Sequence, residues 1–311
     1  MAIATPLTQD LRPDAQRLVA FTRHLFAKGV DGVTLFGTTG EGPEFSVRDR
    51  MATLDAMIAN GIDAKQIIVS VSALAFADAC ALAQHATSVG VAGCLLMPPC
   101  MFRSDITDDG VFEYYNRVIE RIGLRDLRLF IYNFPDICGV SISVPMLRRL
   151  TEKYPGIIAG VKDSGGDPDQ TRDYILSFAD LAVFTGNEID VPDLTPLGLT
   201  GTVCGMANIM PAFMRHVVDA KNAYEGRTLV AALREADAIL SRCPFIPSAK
   251  SIIAKDMRDT AWLRLMPPMA LPPAPQRAQV VAAYGKWHEL ALQGLQSPEP
   301  ATLDSKVLPI R

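Results

Sequence analysis

Lys162 closes the apolar run Ile157-Ile-Ala-Gly-Val-Lys, and it is the only cation in the interior or at the C-terminal end of any of the eight apolar runs that read as strands. Lysine is seldom buried unpaired, because taking an ammonium out of water costs several kcal/mol. Burial favours the neutral amine, the nucleophile that forms an imine with a ketone. The competing reading is a lysine that snorkels to solvent or pairs with Asp163. Tyr132, in Leu129-Phe-Ile-Tyr-Asn-Phe-Pro, stands near the end of another apolar run. A phenol beside an imine lysine can shuttle protons; otherwise it is a core tyrosine with a satisfied hydroxyl.

Two further segments carry polar chemistry. Phe36-Gly-Thr-Thr-Gly-Glu-Gly-Pro places three glycines and the hydroxyls of Thr38 and Thr39 beyond a run. Free backbone N–H groups and two hydroxyls suit a small carboxylate, although an ordinary glycine-rich turn reads the same way. No Gly-Lys-Ser/Thr follows, so it is not a phosphate-binding P-loop. Ser46, with Asp49 three residues on, has the look of a helix cap. Phe184-Thr-Gly-Asn-Glu-Ile-Asp offers Glu188 and Asp190 as acceptors for hydroxyls, with helix capping the simpler role for Asp190.

The elements that position these residues repeat a pattern. Apolar runs rich in Val, Ile and Leu lie at 3–6, 32–38, 66–73, 93–99, 128–135, 158–162, 181–186 and 201–207. They are continuous rather than alternating, as in strands buried on both faces of a parallel sheet. Amphipathic segments separate them at 13–28, 46–60, 77–89, 110–122, 144–154, 169–178 and 190–199. The alternation predicts a (β/α)8 TIM barrel with a C-terminal helical extension. A doubly wound sheet would more usually carry a glycine-rich dinucleotide fingerprint after its first strand, and none occurs. Helices are expected at 211–224, closing the barrel, then at 228–242, 246–257 and 276–292, with Gly294 as the final stop. The expected domains are a catalytic barrel over 1–224, the extension over 225–295 and a loose tail over 296–311.

Composition narrows the partners. The 311 residues carry 30 Lys+Arg against 34 Asp+Glu, a net charge of −4, with no basic block. Nucleic acid and anionic membrane surfaces are therefore poor partners. Two stretches without Asp, Glu, Lys or Arg, 79–102 and 194–214, contain prolines, glycines and polar residues, unlike a membrane helix. The six cysteines (80, 94, 100, 138, 204, 243) stand singly, as reduced core cysteines do, and no signal peptide is visible. Both point to a cytoplasmic protein. No metal site is expected: His24, His85, His216 and His288 all lie away from the ends of the runs, and no H-E-x-x-H occurs.

Taken in order, these features resemble the dihydrodipicolinate synthase / N-acetylneuraminate lyase family of class I pyruvate aldolases. The anchors are Gly-Thr-Thr-Gly at 37–40, Tyr-Asn-x-Pro at 132–135, Gly-Val-Lys-Asp at 160–163 and Gly-Asn-Glu at 186–188, and the resemblance spans about 1–295. It implies a homotetramer built as a dimer of dimers, and a covalent imine on Lys162 in place of any cofactor. Tyr132 is implied as proton shuttle, Thr38 and Thr39 as carboxylate and relay threonines, and Gly186 and the backbone of Val203–Gly205 as pocket lining.

The departures bear on substrate. Where the synthase of this family has an arginine for its second substrate's carboxylate, this chain has Ile137. The synthase's second tyrosine, donated across a dimer, has no match in Pro98-Pro-Cys-Met-Phe-Arg. The chain is more similar to the 2-keto-3-deoxygluconate aldolases, in Gly-Thr-Thr-Gly-x-Gly-Pro-x-x-Ser at 37–46, in Phe134 and in Ser164 after Val-Lys-Asp. That likeness implies Ser164 and Glu188 on a hydroxylated tail and Arg103 near a distal charge. The expected activity is a metal-independent lyase that joins or releases pyruvate and a hydroxy-aldehyde. Alternatives are the dihydrodipicolinate-forming synthase, a sugar-acid dehydratase or hydratase-aldolase, and a non-catalytic keto-acid-binding barrel.

Overall fold

The computed structural model describes residues 1–101, 106–123, 126–220 and 223–296. Seven parallel strands run in sequence order: β1 (Val33–Leu35), β2 (Ile67–Ser70), β3 (Gly93–Leu96), β4 (Leu129–Asn133), β5 (Ile158–Asp163), β6 (Ala182–Thr185) and β7 (Gly201–Thr202). The expected first strand at 3–6 is not a regular one. The N-terminal segment instead bridges the two edges. Ala2 N–H donates to Cys204 O at 2.9 Å, just after β7, and Ile3 N–H to Thr34 O of β1 at 3.2 Å. Asn208 locks the seam, donating to Ala2 O at 2.8 Å and accepting from Ala4 N–H at 2.9 Å. The sheet thereby curls into a (β/α)8 TIM barrel.

Around it lie α1 (Ala15–Ala27), α2 (Val47–Ala59), α3 (Phe76–Ser88), α4 (Asp108–Ile122), α5 (Pro135–Cys138), α6 (Val144–Lys153), α7 (Pro168–Ser177), α8 (Val191–Leu194) and α9 (Pro211–Val218). The C-terminal helical part is α10 (Ala223–Leu240), α11 (Phe245–Asp256) and α12 (Ala274–Gln296). Side-chain caps fix many of the starts: Asp14, Ser46, Thr107, Ser143 and Asp167 each accept a backbone N–H of the first turn. The helix expected at 190–199 is broken into short turns, because Pro192 and Pro196 each start a new one. The helix expected at 211–224 ends at Val218. The last helix continues through Gly294, which is no stop. The tail beyond 296 and Arg103 lie outside the described residues.

Alternation along the strands sorts the core into two layers. Leu129 and Ile131 of β4 face the helices, where they join Val33, Ile67 and Val161. Phe130 and Tyr132 face the barrel interior with Leu95, Met97 and Phe184. Each fully buried Leu, Ile or Phe contributes about 1.5–3 kcal/mol. Phe130 fills the barrel only because Gly93 and Gly160 flank it: a Cβ at either would lie within 2.9 Å of its ring.

Candidate active site

The C-terminal ends of the strands surround a cavity of about 510 Å³. Lys162 and Tyr132 are paired residues of adjacent strands β5 and β4, so both side chains point to the same face. Lys162 is 5% exposed and Tyr132 2%. The Lys162 ammonium donates to Tyr132 OH at 3.0 Å and lies 4.2 Å from the centre of the ring. The nitrogen neither snorkels nor pairs with Asp163. One residue further along the strand, Asp163 points outward. It accepts from Asn133 Nδ2 at 2.7 Å, Thr171 Oγ1 at 2.7 Å and Gly165 N–H at 2.9 Å. Asn133 Oδ1 in turn accepts from Ile142 N–H at 2.9 Å. The Asn and Asp of the two motifs thus form a brace behind the Tyr–Lys pair.

Thr38 and Thr39 line the cavity, half-buried, on the turn after β1. Phe36 starts that turn with a left-handed φ of 59°, and Glu41 ends it at 56°. A Cβ at Gly42 would collide with the Phe36 carbonyl. Thr5 Oγ1 donates to Gly40 O at 2.7 Å, so the N-terminal segment holds the turn from below. Thr39 shares the cavity with Tyr132, but no hydrogen bond joins them.

The remaining sequence-predicted residues also meet here. Ser164, Gly186, Glu188, Val203 and Gly205 all line the cavity. A Cβ at Gly186 would collide with Ser164 Oγ, so any larger residue there would force the Ser164 hydroxyl to turn away. At Gly205 a Cβ would come within 2.6 Å of the Phe245 ring and 3.3 Å of Thr39 Oγ1. Glu188 accepts from Met206 N–H at 3.1 Å, and burial pushes its carboxyl above the usual range. Burial pushes the Cys204 thiol in the same wall up to about 12, which leaves it protonated and unreactive at neutral pH.

Sequence reasoning missed the roof. Asp237 of α10, Phe245, Ile246 and Pro247 of α11, and Met269 line the cavity from the C-terminal part. It also missed Lys250, fully buried on α11 against Glu41 at 2.9 Å. The sequence signal was weak: Lys250 lies among small and apolar residues, Phe245-Ile-Pro-Ser-Ala-Lys-Ser-Ile-Ile-Ala, and only the structure shows that every residue of 247–254 is buried. Among the described lining residues Lys162 is the only lysine or arginine, and Glu188 and Asp237 are the acidic ones. Ile137, on α5, packs against the inner core layer and does not line the cavity. Among the described residues no three His, Cys, Asp or Glu side chains cluster as a metal site would need, and no helix is long and apolar enough to cross a membrane.

A second cavity, of about 370 Å³, opens at the other end of the barrel among Met1, Gly32, Thr200 and Arg215. Of the predicted pocket segment Val203–Gly205, Val203 and Cys204 also line this cavity.

Over residues 1–245 the sequence matches the dihydrodipicolinate synthetase family. The chain belongs to that family. It is therefore an enzyme of the pyruvate-dependent carbon–carbon lyase class. An uncharacterised DapA-like lyase of Chloroflexus aurantiacus is 28% identical over 299 residues, covering 94% of this chain and 96% of that protein. A 4-hydroxy-tetrahydrodipicolinate synthase of Azoarcus sp. is 30% identical over 75% of this chain and 79% of its own. The crystal structure of dihydrodipicolinate synthase from Agrobacterium tumefaciens superposes with a TM-score of 0.84 at 31% identity, covering 92% of this chain and 97% of that one.

Proposed function

We propose that the enzyme cleaves or forms a 2-keto-3-deoxy sugar acid through an imine on Lys162, with no metal and no cofactor. The observation that carries this reading is the buried Lys162 side chain, its Nζ 3.0 Å from Tyr132 OH, as the only lysine or arginine among the described residues lining the cavity. In the cleavage direction Lys162 Nζ adds to the C2 carbonyl and water leaves, giving a protonated ketimine. Thr38 and Thr39 hold the carboxylate at C1 through their hydroxyls and the N–H groups of their turn. Tyr132, with Thr39 as relay, removes the proton of the C4 hydroxyl. The C3–C4 bond breaks, its electrons enter the imine as an enamine, and the aldehyde leaves. Reprotonation at C3 and hydrolysis release pyruvate and free the lysine. Ser164 and Glu188 hold hydroxyls of the tail, while Gly186, Val203 and Gly205 shape the wall beside it. On this reading the barrel over 1–224 carries the chemistry and the extension over 225–295 roofs it.

Pyruvate and borohydride test this. Reduction in the presence of pyruvate inactivates the enzyme and leaves a reduced pyruvyl group on Lys162, located by peptide mass spectrometry. An adduct on another lysine, or activity lost to EDTA with no adduct formed, overturns the imine reading.

The names of the Azoarcus and Agrobacterium proteins favour a second reading, condensation of pyruvate with aspartate semialdehyde. Against it stand Ile137 in place of a carboxylate-binding arginine and two acidic side chains in the cavity wall. We assign this chain the hydroxy-aldehyde partner on those grounds.

A further inference from the structure

The hydroxyls assigned above to the substrate carboxylate sit on a turn bounded by two left-handed residues. Phe36 and Glu41 are both in the left-handed region, which side chains with a Cβ adopt at a cost. The turn is short; its own hydrogen bonds join Gly40 and Gly42 N–H to Gly37 O and Glu41 N–H to Thr38 O, and Glu44 and Phe45 N–H extend the series onto Glu41 O and Gly42 O. Further anchors come from outside. Thr5 Oγ1 reaches Gly40 O from the N-terminal segment. On the other side the Glu41 carboxylate accepts from Lys250 Nζ at 2.9 Å, with both side chains wholly buried. Lys250 Nζ also donates to Arg264 O at 2.9 Å, and Arg264 Nη1 donates to Leu7 O at 2.8 Å.

A buried ion pair is a poor source of stability, since desolvating both charges offsets most of their attraction. Burial indeed works against both charges here, raising the Glu41 carboxyl and lowering the Lys250 ammonium from their ordinary values. Such a pair is better suited to specifying one geometry. Lys250 stands five residues after Phe245 on the same helix, and the Phe245 ring fills the space over Gly205 beside Thr39 Oγ1. One helix therefore roofs the cavity and grips its carboxylate turn.

We propose that Lys250 is a positioning residue: through Glu41 it holds the Thr38–Thr39 turn in its carboxylate-receiving conformation, which makes pyruvate affinity depend on the seating of α11. The pyruvate part rests on the function proposed above; the clamp itself does not.

Lys250→Met alone strands a buried carboxylate and threatens folding, so the test uses Lys250→Met combined with Glu41→Gln, which leaves no buried charge. Hydrogen exchange of the peptide covering residues 36–45, without ligand, reads the clamp. The half-saturating pyruvate concentration for borohydride trapping reads its effect. In the double variant, exchange of that peptide accelerates by about tenfold or more while the rest of the barrel is unchanged. Half-saturating pyruvate rises by about tenfold or more, and the trapping rate at saturation stays within about threefold. Unchanged exchange overturns the clamp. Faster exchange with unchanged half-saturation reduces the pair to a structural strut and overturns its link to pyruvate. If wild-type enzyme forms no adduct, the functional reading falls, and the exchange result alone upholds or overturns the clamp.

Discussion

Tyr132 OH accepts from the Lys162 ammonium at 3.0 Å across two directly paired residues of neighbouring strands. The pairing register puts both side chains on the same face of neighbouring strands, which brings the two polar ends within reach of each other. Tyr132→Phe leaves the nucleophile in place and removes the proton carrier. It is expected to lower kcat by about 10²-fold or more while the Lys162 adduct still forms. Steady-state rates and borohydride trapping on the same preparation check this, and an unchanged kcat would return Tyr132 to the role of core tyrosine.

Substrate choice follows from the charges of the wall. A carboxylate on the incoming aldehyde finds no cation there besides Lys162 among the described residues, while the acidic residue Asp237 and the burial-protonated carboxyl of Glu188 line the same wall. A hydrogen bond to a charged partner is worth about 1.5–3 kcal/mol, or roughly 10–100-fold. Glyceraldehyde is expected to exceed aspartate semialdehyde in kcat/KM as partner for pyruvate. A win for aspartate semialdehyde by about tenfold under the same conditions restores the synthase reading.

Gly205 reports on the junction between barrel and roof. In Gly205→Ala the new methyl meets the Phe245 ring, and either Phe245 or Thr39 has to move. Overpacking of this kind costs about 1–3 kcal/mol. The expected result is a folded protein with kcat/KM for pyruvate addition lowered by about tenfold. Gly205→Ala with Phe245→Leu, which makes room, recovers part of the loss.

Behind the site, Asp163 accepts three hydrogen bonds and is 2% exposed. Asp163→Ala leaves their donors unpaired, at about 1–3 kcal/mol for each buried group. Urea unfolding should show a loss of about 2 kcal/mol or more, with a smaller loss for Asp163→Asn, whose amide can still accept from Asn133.

Glu188 gives a pH signature. Its carboxyl lies above the ordinary glutamate value of 4.5 because burial disfavours the charge. Between that ordinary value and the raised one, the folded state keeps a proton that the unfolded state has released, so stability falls as pH rises through this window. Glu188→Gln lacks that dependence. The melting temperature of the variant relative to wild type is therefore expected to rise from pH 5 to pH 8. A constant difference would mean that Glu188 is not held in its neutral form by burial.

Most of the barrel is legible in the sequence because each strand is a continuous apolar run, and Lys162 stands out against such a run. The site residues that sit on strand ends were legible for the same reason. The Asp163 pairing was ambiguous in sequence and is resolved by strand alternation, which turns adjacent residues to opposite faces. The roof was hidden because Asp237, Phe245 and Met269 belong to helices and loops whose pattern gives a buried face but not which cavity it covers. Run lengths also misled. The run at 201–207 forms only a two-residue strand before the chain turns at Met206–Asn208, where Asn208 is needed for the seam.

That seam sets the order of assembly. Ala4 meets Asn208 across 204 residues of chain, so the seam cannot form in a growing chain before the seventh strand and Asn208 have been made. Until then the outer side of the N-terminal segment, whose inner side pairs with β1, and the outer side of β7 are open edges, each able to template a neighbouring chain. Loop-closure entropy rises only slowly with length, so the delay adds little to the free energy of the finished fold. Its weight falls on the kinetics: during synthesis the N-terminal segment can pair with β1 early but has no partner on its other side until nearly the whole barrel has emerged, and exposed edges of that kind favour aggregation.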